Sequence, residues 1–153
     1  MDIASHRVPA FDENGNVPPG IHLVALGDVE ERLTWTPERQ MLFSGLRRAL
    51  ANLAAAGVRR VVIAGSFASS KPDPRDVDGF WVFEPCVNFR ELDPVLRHEA
   101  APRSAMKAQF AVDFLVCWTG WDGPEAGELL RFFAQDQDGN PRGLLLLHPE
   151  EAL

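Results

Sequence analysis

Three aspartates and a Gly-Ser pair carry the chemistry open to this sequence. Asp76 and Asp78 flank Val77 at the head of an apolar run, VDGFWVF, and Asp113 interrupts a second run, FAVDFLV. Side chains alternate faces along a strand, so Asp76 and Asp78 point one way while Val77 points into the core. A lone carboxylate among apolar residues is costly unless it is paired or holds a cation. If the two strands are neighbours, all three carboxylates meet at one edge of a sheet. Clustered carboxylate oxygens are what Mg²⁺ selects, with waters and phosphate oxygens completing its shell. Upstream, Gly65-Ser66 ends the run RRVVIA. Glycine there lets the backbone approach a ligand, and the serine hydroxyl can bond a phosphate. The loop that follows carries Lys71.

Each of these residues has a plainer alternative. Asp76 can cap the turn before its strand while Asp78 is merely solvated. Asp113 can be a core carboxylate paired to Arg59, Arg60 or Lys107. Lys71 can be an ordinary loop lysine. Trp81 and Trp118 lie in strand-like runs and read as core rather than as stacking platforms. His6, His22, His98 and His148 lack ligand spacing for zinc. DQDGN, from Asp136 to Asn140, resembles a calcium loop but has its glycine misplaced and Leu147 where the bidentate glutamate belongs, so it reads as a turn. It echoes the turn ending at Asn16, which we read as shared turn chemistry rather than a repeat.

The elements that must position these groups follow from spacing. Residues 1–35 read as an irregular N-terminal arm, dense in turn formers up to Gly20, with Ile21 to Leu26 as an edge strand or extended segment. A helix starts at Thr36, a good N-cap, with Pro37 at its first position and Glu38 near its positive end. Leu42, Leu46, Ala49, Leu50 and Leu53 recur at helical spacing, and Gly57 ends it. Arg59 to Ala64 is a buried strand, Lys71 to Arg75 a loop with two prolines, and Val77 to Phe83 a second strand. A short helix is expected around Phe89 to His98, a third strand over Gln109 to Trp118, and a last helix from Pro124. A turn and a short apolar strand, Leu144 to Leu147, fill 136–153. The expected fold class is α+β, a single domain spanning 1–153 with its core in 36–135, its helices packed on one face of a small mixed β-sheet.

Composition excludes some classes of function. At 153 residues, 46% hydrophobic and 24% charged, the chain has enough material for a packed core and no low-complexity tract. No apolar run approaches the ~20 residues of a membrane span, and no secretory leader is evident. Cys86 and Cys117 have no CxxC spacing and read as buried free thiols, which points to the cytoplasm. A net charge of −7 opposes broad coating of nucleic acid, though not binding of a metal-bound nucleotide.

The stretch VVIAGSFASSKPDPRDVDGFWVF, with Asp113 in a later strand, resembles the DNA polymerase beta superfamily of nucleotidyltransferases, especially its minimal single-domain members. The similarity runs from about Val61 to Val116. The ends, FDENGNVPPGIH and DQDGNPRGLLLLH, also resemble small uncharacterised bacterial and phage-borne nucleotidyltransferase-like proteins. The resemblance implies that Asp76 and Asp78 hold two Mg²⁺ ions, one carrying the nucleoside triphosphate. The other would activate an acceptor hydroxyl together with Asp113. Gly65 and Ser66 would cradle the β and γ phosphates, and Lys71, in the spacer loop, would add a point charge to the triphosphate. Antitoxin-type minimal members carry an arginine three residues after the serine and then a glycine; Ser69 and Ser70 stand at those positions here. The chain is expected to lack room for a second helical domain, so the acceptor, on a protein, small molecule or RNA, must be recognised by a partner, a dimer mate or the short flanking segments. The alternative is a catalytically weak fold kept as a binding module, such as an antitoxin or phage-defence component.

Overall fold

The longest helix is also the best signposted. In the computed structural model, which describes residues 6–97 and 103–153, α2 runs Pro37–Ala55. The Thr36 hydroxyl caps it by accepting from the Arg39 amide at 3.1 Å. Its stripe of Leu46, Ala49, Leu50 and Leu53 has no exposed surface, each leucine contributing roughly 1.5–3 kcal/mol of burial. Gly57, at φ 95°, turns the chain out of the helix.

Among the described residues five strands form one mixed sheet in the order β1-β5-β2-β3-β4. They are β1 (Ile21–Leu23), β2 (Val61–Ala64), β3 (Val77–Val82), β4 (Val112–Cys117) and β5 (Leu144–Leu147). β2 runs antiparallel to both β3 and β5, while β1 pairs with β5 and β3 with β4 in parallel. Alternation divides the strand residues between two cores. Val61, Ile63, Trp81, Val112, Phe114 and Leu145 face the larger one, with α1 (Leu26–Leu33), α2 and α3 (Arg103–Phe110). Val62, Ala64, Phe80, Cys117 and Leu144 face the smaller one, with α4 (Pro124–Phe133).

The α+β class and the small mixed sheet are as expected, but several details differ. Helices do not share one face: α4 takes the side opposite α1 to α3, because Ala126 and Phe133 cover the strand residues that α2 cannot reach. The first 35 residues are not all irregular. β1 is an edge strand, and α1 buries Leu26, Val29 and Leu33, a helical stripe that begins at Ala25 without a side-chain cap to announce it. In place of a helix over Phe89 to His98 there are two 3₁₀ turns, Phe89–Glu91 and Pro94–Leu96, started by the Asn88 and Asp93 side chains; His98 lies outside the described residues. The third strand begins at Val112, not Gln109. Gln109 and Phe110 close α3, and Ala111, at φ 57°, makes the turn between them. An apolar helix end running straight into an apolar strand leaves no boundary in the sequence. Trp81 is fully buried, whereas Trp118, just past β4, is 46% exposed. Cys117 is buried but Cys86 is exposed, and both are free thiols. Among the described residues no helix is long and apolar enough to cross a membrane.

Candidate metal centre

Parallel pairing of β3 with β4 sets Asp78 directly opposite Asp113. Asp76 lies one residue before β3, on the same side as Asp78. One ligand oxygen from each of the three lies within 4.8 Å of the others. Like charges directly opposite in a sheet are destabilising, so the pairing needs cations. α3 supplies them. Arg103 grips Asp113 with both arms, Nε to Oδ1 at 2.7 Å and Nη2 to Oδ2 at 2.6 Å. Lys107, one turn further on, sets Nζ 3.2 Å from Asp76 Oδ2 and 3.5 Å from Asp113 Oδ2.

The two register partners therefore differ in proton affinity. Burial raises the Asp78 carboxyl, the charges of Asp76 and Asp113 and a hydrogen bond with Asp76 raise it further, and Lys107 only partly opposes them. It is pushed up to about 6. Burial also works to raise Asp113, which is 7% exposed, but the Arg103 hydrogen bonds and charge, helped by Lys107, hold it below its ordinary value.

Behind the acids, the Gly-Ser turn is fixed from below. Gly65 has φ 71°, and a Cβ there would meet the Asp78 side chain, with Asp78 Cβ only 2.9 Å away. Glycine is thus required for Asp78 to sit where it does. The following loop is pinned by Arg39, which has no exposed surface and no ion pair to an acidic side chain among the described residues. Its guanidinium donates to the carbonyls of Ser66 (3.2 Å), Phe67 (2.8 Å), Ser69 (2.6 Å) and Lys71 (2.6 Å), and to Leu33 at the end of α1 (3.1 Å). It stacks on Trp35, 3.8 Å from the ring centre. Burial lowers this guanidinium to about 10, so it is charged at neutral pH. Ser69 turns inward: its hydroxyl donates to the Ser66 carbonyl and accepts from the Lys71 amide.

The two Asp-x-x-Gly-Asn turns close the mouth. In each, the aspartate carboxylate accepts amides two and four residues on: Asp12 from Asn14 and Asn16, Asp136 from Asp138 and Asn140. They touch, since Asn16 Nδ2 donates to Asp136 at 3.0 Å. That bond, with those from Asn140 and Asp138, holds the Asp136 carboxyl down at about 2. The first turn also accepts the Ser70 amide at the Gly15 carbonyl, tying it to the Arg39-held loop.

Two clefts meet at the acids. One, of about 500 Å³, is lined by Asp78, Asp113, Leu115, Phe132, Gln135 and Arg142, among others. The other, of about 350 Å³, is lined by Ser66, Lys71, Arg75, Asp76 and Gln137. The structure thus brings together Asp76, Asp78 and Asp113, and sets Ser66 and Lys71 on the adjoining cleft; Gly65 is buried behind Asp78. Of the proposed partners for Asp113, Lys107 is in place, whereas Arg60 pairs with Glu84 at 3.0 Å and is elsewhere. Sequence reasoning missed Arg39, Arg103 and Arg142. Arg39 carried a signal: it lies three residues before Leu42, in line with the buried stripe of α2. Arg103 and Lys107 stand four apart, one helical turn, but their helix was hidden by the strand expected after it. As a donor set, three carboxylates suit a hard divalent cation, although Arg103 already takes both oxygens of Asp113.

Searches of curated proteins and of solved structures find no match to this chain. Residues 9–148, which include both Asp-x-x-Gly-Asn turns, the Arg39-held loop and all three aspartates, match the model of DUF6932, a family of unknown function, and the chain belongs to that family.

Proposed function

We propose that this chain is a Mg²⁺-dependent nucleotidyltransferase that moves a nucleoside monophosphate from a nucleoside triphosphate to a hydroxyl on a protein, a small molecule or an RNA end. The observation that carries the reading is the carboxylate cluster, Asp78 opposite Asp113 with Asp76 within 4.8 Å, beside a cleft bearing Ser66, Lys71 and Arg75. Held by Asp76 and Asp78, with Asp113 beside them, Mg²⁺ supplies Lewis acidity and screens the charge of a polyphosphate. Lys71 and Arg75 offer positive charge on the cleft side, and the Ser66 hydroxyl a hydrogen bond. Arg142, half-buried on the larger cleft, faces Asp136 and Asp78. In the reaction, the acceptor oxygen bonds to the α-phosphorus while the bond from that phosphorus to the bridging oxygen breaks. Pyrophosphate leaves with the electron pair, and the hydroxyl proton passes through the carboxylates to solvent. Two free thiols and the acidic charge fit a cytoplasmic protein that does not coat nucleic acid.

A second reading is favoured by one contact. With both Asp113 oxygens held by Arg103, the fold is suited to binding rather than turnover, as an antitoxin or phage-defence component. The test is incubation with α-³²P-labelled nucleoside triphosphates and Mg²⁺, with candidate acceptors and the product of a neighbouring gene. Label transfer abolished by Asp76→Ala and Asp78→Ala supports the enzyme. No transfer and no Mg-nucleotide binding, with partner binding unaffected by those substitutions, supports the binding module.

A further inference from the structure

Two cations of α3 stand where the acidic cluster would take a second divalent ion. Lys107 Nζ bridges Asp76 and Asp113, at 3.2 and 3.5 Å, and Arg103 occupies both oxygens of Asp113. Divalent magnesium binds oxygen at about 2.0–2.1 Å and is repelled by a cation already on the same carboxylates, so a second ion would have to displace Lys107 and compete with Arg103 for the remaining lone pairs of Asp113. Nor is this a loose surface pair of the kind that contributes little. α3 is anchored by Met106 and Phe110, 1% and 6% exposed. The Met106 sulfur accepts the Phe114 amide at 3.2 Å, beside Asp113 in β4, and the glycine at position 45 lets the Phe110–Ala111 backbone pack against α2. The helix that carries the cations is held against the strand that carries their partner. Arg103 and Lys107 offset part of the negative charge of the three carboxylates, which weakens the attraction for a second divalent ion.

We infer that Lys107, backed by Arg103, replaces the second metal of the site, so that the protein loads one divalent ion, on Asp76 and Asp78, and uses Asp113 as the anchor of the α3 cations. The inference rests on the metal-dependent reading above and assigns its stoichiometry. Lys107 then acts as a positioning and charge-compensating residue at the point where an acceptor hydroxyl would approach Asp113.

Mn²⁺ is the probe, titrated into the full chain with and without a non-hydrolysable nucleoside triphosphate analogue, and followed by calorimetry and electron paramagnetic resonance. Wild type and Lys107→Arg should bind one Mn²⁺ per chain in all, with or without the analogue, with the spectrum of an isolated ion. Lys107→Met, and more so the double variant Lys107→Met/Arg103→Gln, should bind a second, with the line broadening of two coupled ions. Circular dichroism checks that the variants are folded; both side chains are about half exposed. Two coupled ions in wild type, unchanged in Lys107→Met, would overturn the inference while leaving the metal-dependent reading intact. No Mn²⁺ binding in any variant would remove both.

Discussion

Replacing Arg39 with methionine keeps the length and apolar stem of the side chain and removes one buried guanidinium. That group donates to five carbonyls, three of them within 2.8 Å, and nothing else among the described residues ties the Ser66–Lys71 loop to α2 and the end of α1 so directly. Breaking a buried charged network by removing one partner costs about 3–5 kcal/mol. For a chain of this size roughly 2–4 °C of melting temperature goes with each kcal/mol, so Arg39→Met should melt about 6–20 °C below wild type. Arg39→Lys keeps the charge but not the fork, and should recover less than half of the loss. Calorimetry gives the melting shift, and amide hydrogen exchange gives its location: Ser70 and Lys71, whose amides bond to the Gly15 carbonyl and the Ser69 hydroxyl, should lose protection before the α2 core. A shift under about 2 °C, or a large one with loop protection unchanged, would refute the claim that Arg39 organises the loop.

Other outcomes follow from the same geometry. Gly65→Ala puts a Cβ against Asp78 at a backbone φ of 71°; it should cost about 1–3 kcal/mol and weaken Mn²⁺ binding, and normal binding in a calorimetric titration would contradict the packing. Asp78 titrates at about 6 in the folded chain against an ordinary value of 3.8, so the folded state holds the extra proton and this group's contribution to stability falls as pH rises from about 4 to 6. Asp78→Asn should therefore stabilise the metal-free protein at pH 7, by on the order of 1–3 kcal/mol, and leave it unchanged near pH 3; urea denaturation at both pH values checks it, and equal effects would be contrary. Protons compete with metal at the same carboxylate, so stabilisation by Mg²⁺ in a thermal-shift assay should fall as pH drops through about 6. Gly45→Ala gains about 1 kcal/mol of helix propensity but sets a Cβ 2.7 Å from the Phe110 carbonyl carbon; overpacking should win, and a melting temperature above wild type would reverse that ranking.

The sequence alone determined most of the elements near the site. Apolar stripes and runs located α2, β2, β3, α4 and β5, since burial imposes its period on residue type wherever an element has one dry face. Alternation on β3 put Asp76 and Asp78 together, and the cost of a bare carboxylate in a buried strand marked Asp113. α1, which starts without a side-chain cap, and α3, whose apolar end runs straight into β4, were lost for want of a boundary. Only the tertiary structure decided that β3 and β4 are neighbours in a parallel register that sets Asp78 against Asp113, because strand pairing is a contact between segments 35 residues apart and leaves no trace in either one. The same holds for the cations. An arginine or lysine on a helix reads as solvated until packing aims it, and it is the docking of α3 through Met106 and Phe110 that turns Arg103 and Lys107 toward the acids, as the docking of α2 turns Arg39 beneath the loop.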